Sequence, residues 1–342
     1  MPYFLPVQKF LFFAVIVSRI SAFNVSISIP PRAAINAPRV LPSLISLSIE
    51  LDRWTDWAGT TSRNEFFFNT LDNLRQLTGQ PPNIRIGGNT EDHTNFHQDV
   101  EFSETIFPPF TPVAPYPEAT NVTVGDSFYA TTRFLPPTPG VSNTAGAALW
   151  TLDYALFATQ LGISTVFFHE GKNMMYQIQP TTLARSTLDG SSLPTPAPPH
   201  VQPQYYAAVI AGEAIGKTGK AQVLEIDIDH PQIAGYSFYE DYLLVRAVFI
   251  NSKAYLPEST IRTSVHLDFK FTNVHGFKAA TTMTLKRLAI AYATDASGLT
   301  WGGQTYETSD GRVANSVVTE TRLVSDGLDI QETEVILVVF ES

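Results

Sequence analysis

From Gln222 onward the chain keeps one repeated pattern. Gln222–Asp229, Ile233–Tyr239, Leu243–Asn251, Ile261–Thr272, Ala280–Leu288 and Glu334–Phe340 are short β-rich runs divided by turn residues. Short strands that follow one another without helical stretches between them argue an antiparallel β-sandwich, because each strand must bury one face against a second sheet. The first 190 residues cannot be read this way. Leu44–Glu50 (LISLSIE) has the composition of a buried strand, and Asn64 is placed to cap a helix with Phe67, Leu71 and Leu74 on one face. Gly79 and Pro81-Pro82 end that helix, and Asn83–Ile86 returns as a strand running into Gly87-Gly88-Asn89. Strand, helix, strand is the unit of a parallel sheet.

The middle of the chain reads as loop at Pro108–Pro117 and Gly140–Ala148. Ala147–Leu161 (AALWTLDYALFATQL) then predicts a helix with no clear solvent face, buried between other elements, with Asp153 as a hydrogen-bonded core carboxylate. Gly162 closes it, and Ile163–His169 is a further buried strand. Ser191–Pro203 holds five prolines and reads as a stiff connector, followed by a helix over Gln204–Ile215.

The 342 residues carry 22 Lys+Arg against 32 Asp+Glu, a formal charge of −10, so a nucleic-acid partner is not expected. The chain has no cysteine, which removes disulfide scaffolds, thiolate metal sites and thiol nucleophiles. No phosphate-loop pattern and no His-Glu-x-x-His pattern is present, so neither a cofactor nor a metal is expected. Near the N-terminus Lys9 precedes eight apolar residues, Phe10–Val17, and then Ser18–Ala22. That run is too short to span a bilayer and fits a signal peptide over residues 1–22, which implies an extracellular protein with no membrane segment after cleavage. Export gives meaning to two glycosylation sequons, at Asn24 and Asn121, both expected in surface loops.

In a parallel α/β barrel the functional residues gather at the C-terminal ends of the strands. Glu50, Gly87-Gly88-Asn89 and His169-Glu170 occupy those places, and Tyr176 follows near enough to reach the same pocket. Asn89 can both donate to and accept from sugar hydroxyls. On spacing alone each also admits a plain structural role: a strand-to-loop turn at the glycines, a carbonyl-bonded core histidine at His169, loop packing at Tyr176.

Four segments resemble one family. Ser48–Gly59 (SIELDRWTDWAG), Asn73–Phe96 (NLRQLTGQPPNIRIGGNTEDHTNF), Gly140–Gly171 and His200–Gly216 (HVQPQYYAAVIAGEAIG) look like the fungal members of glycoside hydrolase family 79. The resemblance implies a secreted β-glucuronidase-type protein with a (β/α)8 TIM-type barrel and a C-terminal β-sandwich, acting on glucuronide-containing glycans. It also implies that residues 23–42 supply a strand to the sandwich, that residues 43–190 form the barrel, and that residues 204–342 form a helix and the C-terminal domain. Asn89, His169, Glu170 and Tyr176 match positions expected to line the sugar-acid pocket.

The same resemblance implies that this chain is catalytically deficient. The family is retaining and needs two carboxyl groups roughly 5–5.5 Å apart. The acid/base belongs to an Asn-Glu pair after the fourth barrel strand and the nucleophile is a Glu shortly before the GVSNTAGAALW segment. Upstream of Gly140 stands Arg133–Pro139 with no carboxylate, and Asn64-Glu65 opens a helix instead of ending a strand. A full barrel takes about 250 residues, whereas Leu44–Pro180 supplies only about 140, so the barrel is expected to be incomplete, joined near Pro137–Gly140. Glu50 and Glu170 are the only fallback for a catalytic pair. The alternatives are a non-catalytic glycan-binding sandwich protein, or a mis-spliced reading frame.

Overall fold

The computed structural model describes residues 23–131, 145–170, 177–186, 191–271 and 279–341. The expected leader, the joint near Pro137–Gly140 and Tyr176 lie outside these residues.

A seven-stranded sheet organises the C-terminal half, in the order Gln222–Glu225, Ile233–Glu240, Leu243–Asn251, Glu334–Glu341, Thr282–Ala289, Thr300–Trp301, with Glu320–Leu323 also paired to Thr282–Ala289. Its neighbours are antiparallel throughout. Successive side chains of a strand point to opposite faces, and here both faces are apolar. Ala247, Phe249, Ile336 and Val338 enter one core, and Val248, Ile250, Val335 and Leu337 enter another.

The first core is closed by a three-stranded sheet of Phe23–Ile29, Ser264–Phe271 and Leu328–Gln331, which contributes Ile27, Leu267 and Ile330. The two sheets make a sandwich, but not a wholly antiparallel one. Phe23–Ile29 runs parallel to Ser264–Phe271, setting Val25 beside Leu267 and Ile27 beside Phe269. A strand arriving from a distant part of the chain has no hairpin to impose an antiparallel direction.

The second core joins the sheet to the α/β half. The Tyr205–Ile215 helix is buried along nearly its whole length. Tyr205 donates to the Thr70 carbonyl (2.5 Å) and Tyr206 to the Leu299 carbonyl (2.6 Å). Glu213, on the same helix, accepts from the Trp301 indole at 2.6 Å and pairs with the buried Lys286 ammonium at 2.8 Å. Behind this helix lies a parallel sheet in the order Ile84–Gly87, Ile45–Glu50, Val166–Glu170. The Glu65–Thr78 helix links its first two strands. Asn64 accepts from the Phe67 N–H at 3.2 Å, and Gly79 at φ 78° ends the helix with its N–H on the Arg75 carbonyl.

Three expectations need correction. The helix into the last parallel strand runs Ala145–Gln160, so it starts inside the stretch read as loop, and it has a clear outer face. Leu149, Leu152 and Leu156 are buried, while Trp150, Tyr154 and Phe157 are exposed, because among the described residues no element covers that side. Asp153 is half-buried at the helix edge, where its Oδ1 accepts from the Tyr236 hydroxyl at 2.6 Å. The proline-rich stretch is not a bare connector either. Ser192–Ala197 pairs antiparallel with Leu183–Arg185, and His200–Val201 with Ile178–Gln179, in two-stranded ribbons whose open edges tolerate proline.

Because one sheet is buried on both faces, its two cores should melt together. Trp54, Trp57 and Trp301 lie in the second core and none of the four tryptophans lies in the sandwich core, so the buried tryptophans report on the second core. Phe249→Ala, which empties a fully buried site between the two sheets, should cost about 3–5 kcal/mol and lower the fluorescence midpoint in one transition. A fluorescence midpoint unchanged by the substitution would contradict this coupling.

Candidate functional site

The register of the parallel sheet decides what can meet at its C-terminal end. Ser48 pairs with Arg85 on one side and His169 on the other, and Glu50 pairs with Gly87. Partners in a parallel ladder share a face, so Ser46, Ser48, Glu50, Arg85, Phe167 and His169 point one way. Leu47, Ile49, Ile84, Ile86, Phe168 and Glu170 point the other way, toward the helices. The helix-side face is apolar, with Leu47, Ile49 and Phe168 buried and Ile84 and Ile86 partly buried, and it ends in the buried Glu170.

Glu50 is the centre of the polar face. Its Oε1 lies 2.8 Å from His169 Nε2, and its Oε2 accepts from the Thr90 hydroxyl at 2.7 Å. The N–H groups of Asn89 and Thr90 donate to the two oxygens at 3.3 Å. Those donors reach the carboxylate through Gly88, whose φ of 109° is open to glycine. A Cβ there would also stand 2.1 Å from Glu50 Oε1, so glycine is required twice over. The Gly87-Gly88-Asn89 turn thus serves to wrap backbone donors around one acid.

Burial alone would push the Glu50 carboxyl upward. The hydrogen bonds from His169 and Thr90, with the charge attraction of His169, outweigh it and hold the group below its ordinary value. Glu50 therefore stays ionised and acts as an acceptor that orients His169 and the turn. His169 remains partly open, with a third of its side chain exposed (32%). Asn89 is exposed beside it, its amide 3.5 Å from Glu118.

A residue that sequence reasoning passed over stands next to this cluster. Asp52 is buried, its N–H donates to the Thr90 hydroxyl at 3.3 Å, and its Oδ2 accepts from the Ala119 N–H at 2.8 Å. Its Oδ1 has no hydrogen-bond partner and lies 3.9 Å from Arg53 Nε. Burial pushes this carboxyl up, and the Ala119 N–H only partly offsets it. The available signal was the Glu50-x-Asp52 spacing just past a strand end. The proline-rich loop forms a wall here: Arg53 donates to the Pro117 carbonyl at 3.1 Å and lies 3.8 Å over the Phe107 ring.

The structure brings Glu50, Asn89 and His169 together. It does not add Glu170, whose pairing with Ile49 sends its side chain to the helix side, where it accepts from the Gln177 N–H at 3.2 Å. Tyr176 lies outside the described residues. The two sequons lie in strands instead of loops: Asn24 is exposed in Phe23–Ile29, and Asn121 is half-buried at the start of Asn121–Val124. Among the described residues no group of three or more His, Asp or Glu could hold a metal, and no helix is long and apolar enough to cross a membrane.

The lowered Glu50 value fixes a pH dependence. A carboxyl that ionises more easily in the folded state contributes stability that is present above its unfolded value, near 4.5, and is lost as pH falls through the lowered folded value. Glu50→Gln should cost about 1–3 kcal/mol near pH 6, because buried donors lose a charged partner. It should also flatten the fall in stability below pH 4.5, as followed by urea titration at a series of pH values.

Residues 235–337 match the glycosyl hydrolase family 79 C-terminal beta domain. A β-glucuronidase of Neurospora crassa is 39% identical over 108 residues, covering 31% of this chain and 18% of that protein. A β-glucuronidase of Aspergillus niger is 26% identical over 176 residues, covering 49% of this chain and 30% of that protein. The aligned stretches thus span less than a third of either relative. Among solved structures, the 4-O-α-L-rhamnosyl-β-D-glucuronidase from Fusarium oxysporum 12S superposes with a TM-score of 0.67 at 16% identity, over 92% of this chain and 100% of that one, which shows a shared fold. Residues 235–337 thus carry the family 79 C-terminal beta domain, the aligned stretches are similar to curated fungal β-glucuronidases, and the fold is shared with the Fusarium enzyme.

Proposed function

We propose that this chain is an exported family 79 protein with an incomplete barrel, which binds glucuronide-containing glycans without hydrolysing them. The observation that carries the reading is the placement of the two strand-end acids. Glu50 and Glu170 project from opposite faces of one sheet, and every Glu50 oxygen is already engaged by donors. Retaining hydrolysis needs two carboxyl groups facing one anomeric carbon, one as nucleophile and one as acid/base, so these two cannot share the task. Among the described residues the sheet that carries Glu50 has three parallel strands where a barrel has eight, which supports the incomplete barrel.

Binding asks less of the site than turnover. The open edge of the His169 ring and the Asn89 amide offer hydrogen bonds to sugar hydroxyls and to a sugar carboxylate, with Glu50 fixing the ring. A second reading, residual hydrolysis, draws on Asp52. Its carboxyl is pushed up while that of Glu50 is held down, the division of labour that an acid and a base need.

The purified chain should not release the phenol from an aryl β-glucuronide above the buffer rate. It should bind glucuronic acid weakly in a ligand-observed NMR titration, and His169→Ala and Asn89→Ala should each weaken that binding. Turnover abolished by Glu50→Gln or Asp52→Asn would establish the second reading, and absence of any glucuronate binding would overturn the first. For export, the secreted chain should begin at Phe23 and carry glycan at Asn24 or Asn121 by intact mass. An unprocessed, unglycosylated chain would overturn it.

A further inference from the structure

The two oxygens of Glu50 keep different company. Oε1 faces the His169 ring at 2.8 Å and takes the Asn89 N–H, whereas Oε2 takes both the N–H (3.3 Å) and the hydroxyl (2.7 Å) of Thr90. The direction of that hydroxyl follows from the other bond it makes. The Asp52 N–H, 3.3 Å from Thr90 Oγ1, can only donate, so it occupies a lone pair of the hydroxyl oxygen. The single hydroxyl proton then points at Glu50 Oε2, which must be an unprotonated acceptor. Thr90 is itself held from several sides. It is fully buried in the Asn89–His93 turn, and its carbonyl accepts from the Thr94 hydroxyl at 2.7 Å. Thr94 opens the strand Thr94–Phe96, which pairs with Asn121–Val124, and that strand follows Ala119, whose N–H holds Asp52 Oδ2. The threonine therefore stands where the glycine turn, the Leu51–Arg53 turn and the proline-rich wall meet.

We propose that Thr90 is the positioning residue of this site: its hydroxyl fixes Glu50 Oε2, so that the acid meets His169 through Oε1 alone and exchanges its proton only on that side. Thr90 acts through Glu50 and needs no contact with a sugar. Its consequence for binding, a His169 ring presented in one orientation, rests on the glucuronate reading above. Burial pushes the Glu50 carboxyl up, and the hydrogen bonds of His169 and Thr90 bring it below its ordinary value, as a fixed donor on Oε2 requires. Titratable groups reach this end of the sheet from each packed element: His169 from one neighbouring strand, Arg85 from the other and paired to Glu91, Asp52 from the turn after Glu50, and Glu118 beside the Asn89 amide. Asp92 and His93 lie exposed further along the glycine turn. Substituting Thr90 leaves all of these side chains in the sequence and removes only the hydroxyl.

The test is a carboxyl ¹³C NMR titration of the full chain without sugar, with the Glu50 signal assigned by its loss in Glu50→Gln. Near-isosteric Thr90→Val should raise the Glu50 midpoint by about one pH unit, and Thr90→Ala, which removes the hydroxyl in a smaller side chain, should move it the same way. Thr90→Ser keeps the hydroxyl and should leave the midpoint near that of the unaltered chain. In a urea titration across the same pH range, Thr90→Val should change the pH profile of stability in the unaltered chain but not in the Glu50→Gln background, where the group it acts through is gone. Glucuronic acid binding should weaken about threefold in Thr90→Val and recover in Thr90→Ser. A Glu50 midpoint unmoved in both Thr90→Val and Thr90→Ala, a shift that Thr90→Ser reproduces in full, or a changed pH profile that persists in the Glu50→Gln background would each overturn the proposal. A chain that binds no glucuronic acid at all, yet shows the expected Glu50 shifts, would overturn the glucuronate reading and uphold the role of Thr90.

Discussion

The molecule depends on two adjacent strands, Leu243–Asn251 and Glu334–Glu341, that are apolar on both faces. A strand with one solvated face commits to a single core. These two, paired from Arg246–Val339 to Asn251–Glu334, belong to two. Phe249 and Ile336 look into the sandwich, and Val248 and Leu337 look toward the helices. The polar groups that a doubly buried sheet must accommodate stand near its margins. Lys286 reaches Glu213 on the buried helix, and the same carboxylate takes the Trp301 N–H. Removing one partner would leave a buried charge without compensation, which costs more than the pair contributes when intact. The helix at Tyr205–Ile215 is therefore fixed by shape and by one specific network.

That arrangement explains how three parallel strands hold a defined geometry at Glu50. Purely parallel sheets are normally covered on both faces. Here the apolar face leans on the helices, which lean on the seven-stranded sheet, so the support for the site lies outside the small sheet itself. On the other face Ser46 and Ser48 are buried, while Arg85 and Phe167 are exposed. The four donors that converge on Glu50 then supply, within a few residues, the order that a closed ring of strands would impose over a longer range.

Much of this was legible in the sequence where local chemistry decides the outcome. The helix at Glu65–Thr78 follows from the Asn64 cap and the Gly79 stop, and the main sandwich strands follow from turn-bounded β-rich runs. What was not legible depends on partners distant in the chain. Apolarity around the Ala145–Gln160 helix predicts burial on every side, but whether a covering element exists is not a property of the helix. The parallel direction of Phe23–Ile29 and the pairing of Ser192–Ala197 with Leu183–Arg185 likewise depend on where other strands lie.

The relation between Glu50 and Glu170 is the sharpest case. Each ends a strand, the strands are neighbours, and from sequence the two acids look suited to facing one another. The ladder sets Glu170 opposite Ile49, one residue short of Glu50. Because side chains alternate at every step, an offset of one places the two carboxylates on opposite faces. His169, one residue earlier in its strand, falls opposite Ser48 and so takes the place beside Glu50 that Glu170 would have needed. A one-residue register thus turns the strand ends from two acids flanking a scissile bond into one acid holding an imidazole. Of the two strand-end acids, only Glu50 therefore stands on the face that His169 shares.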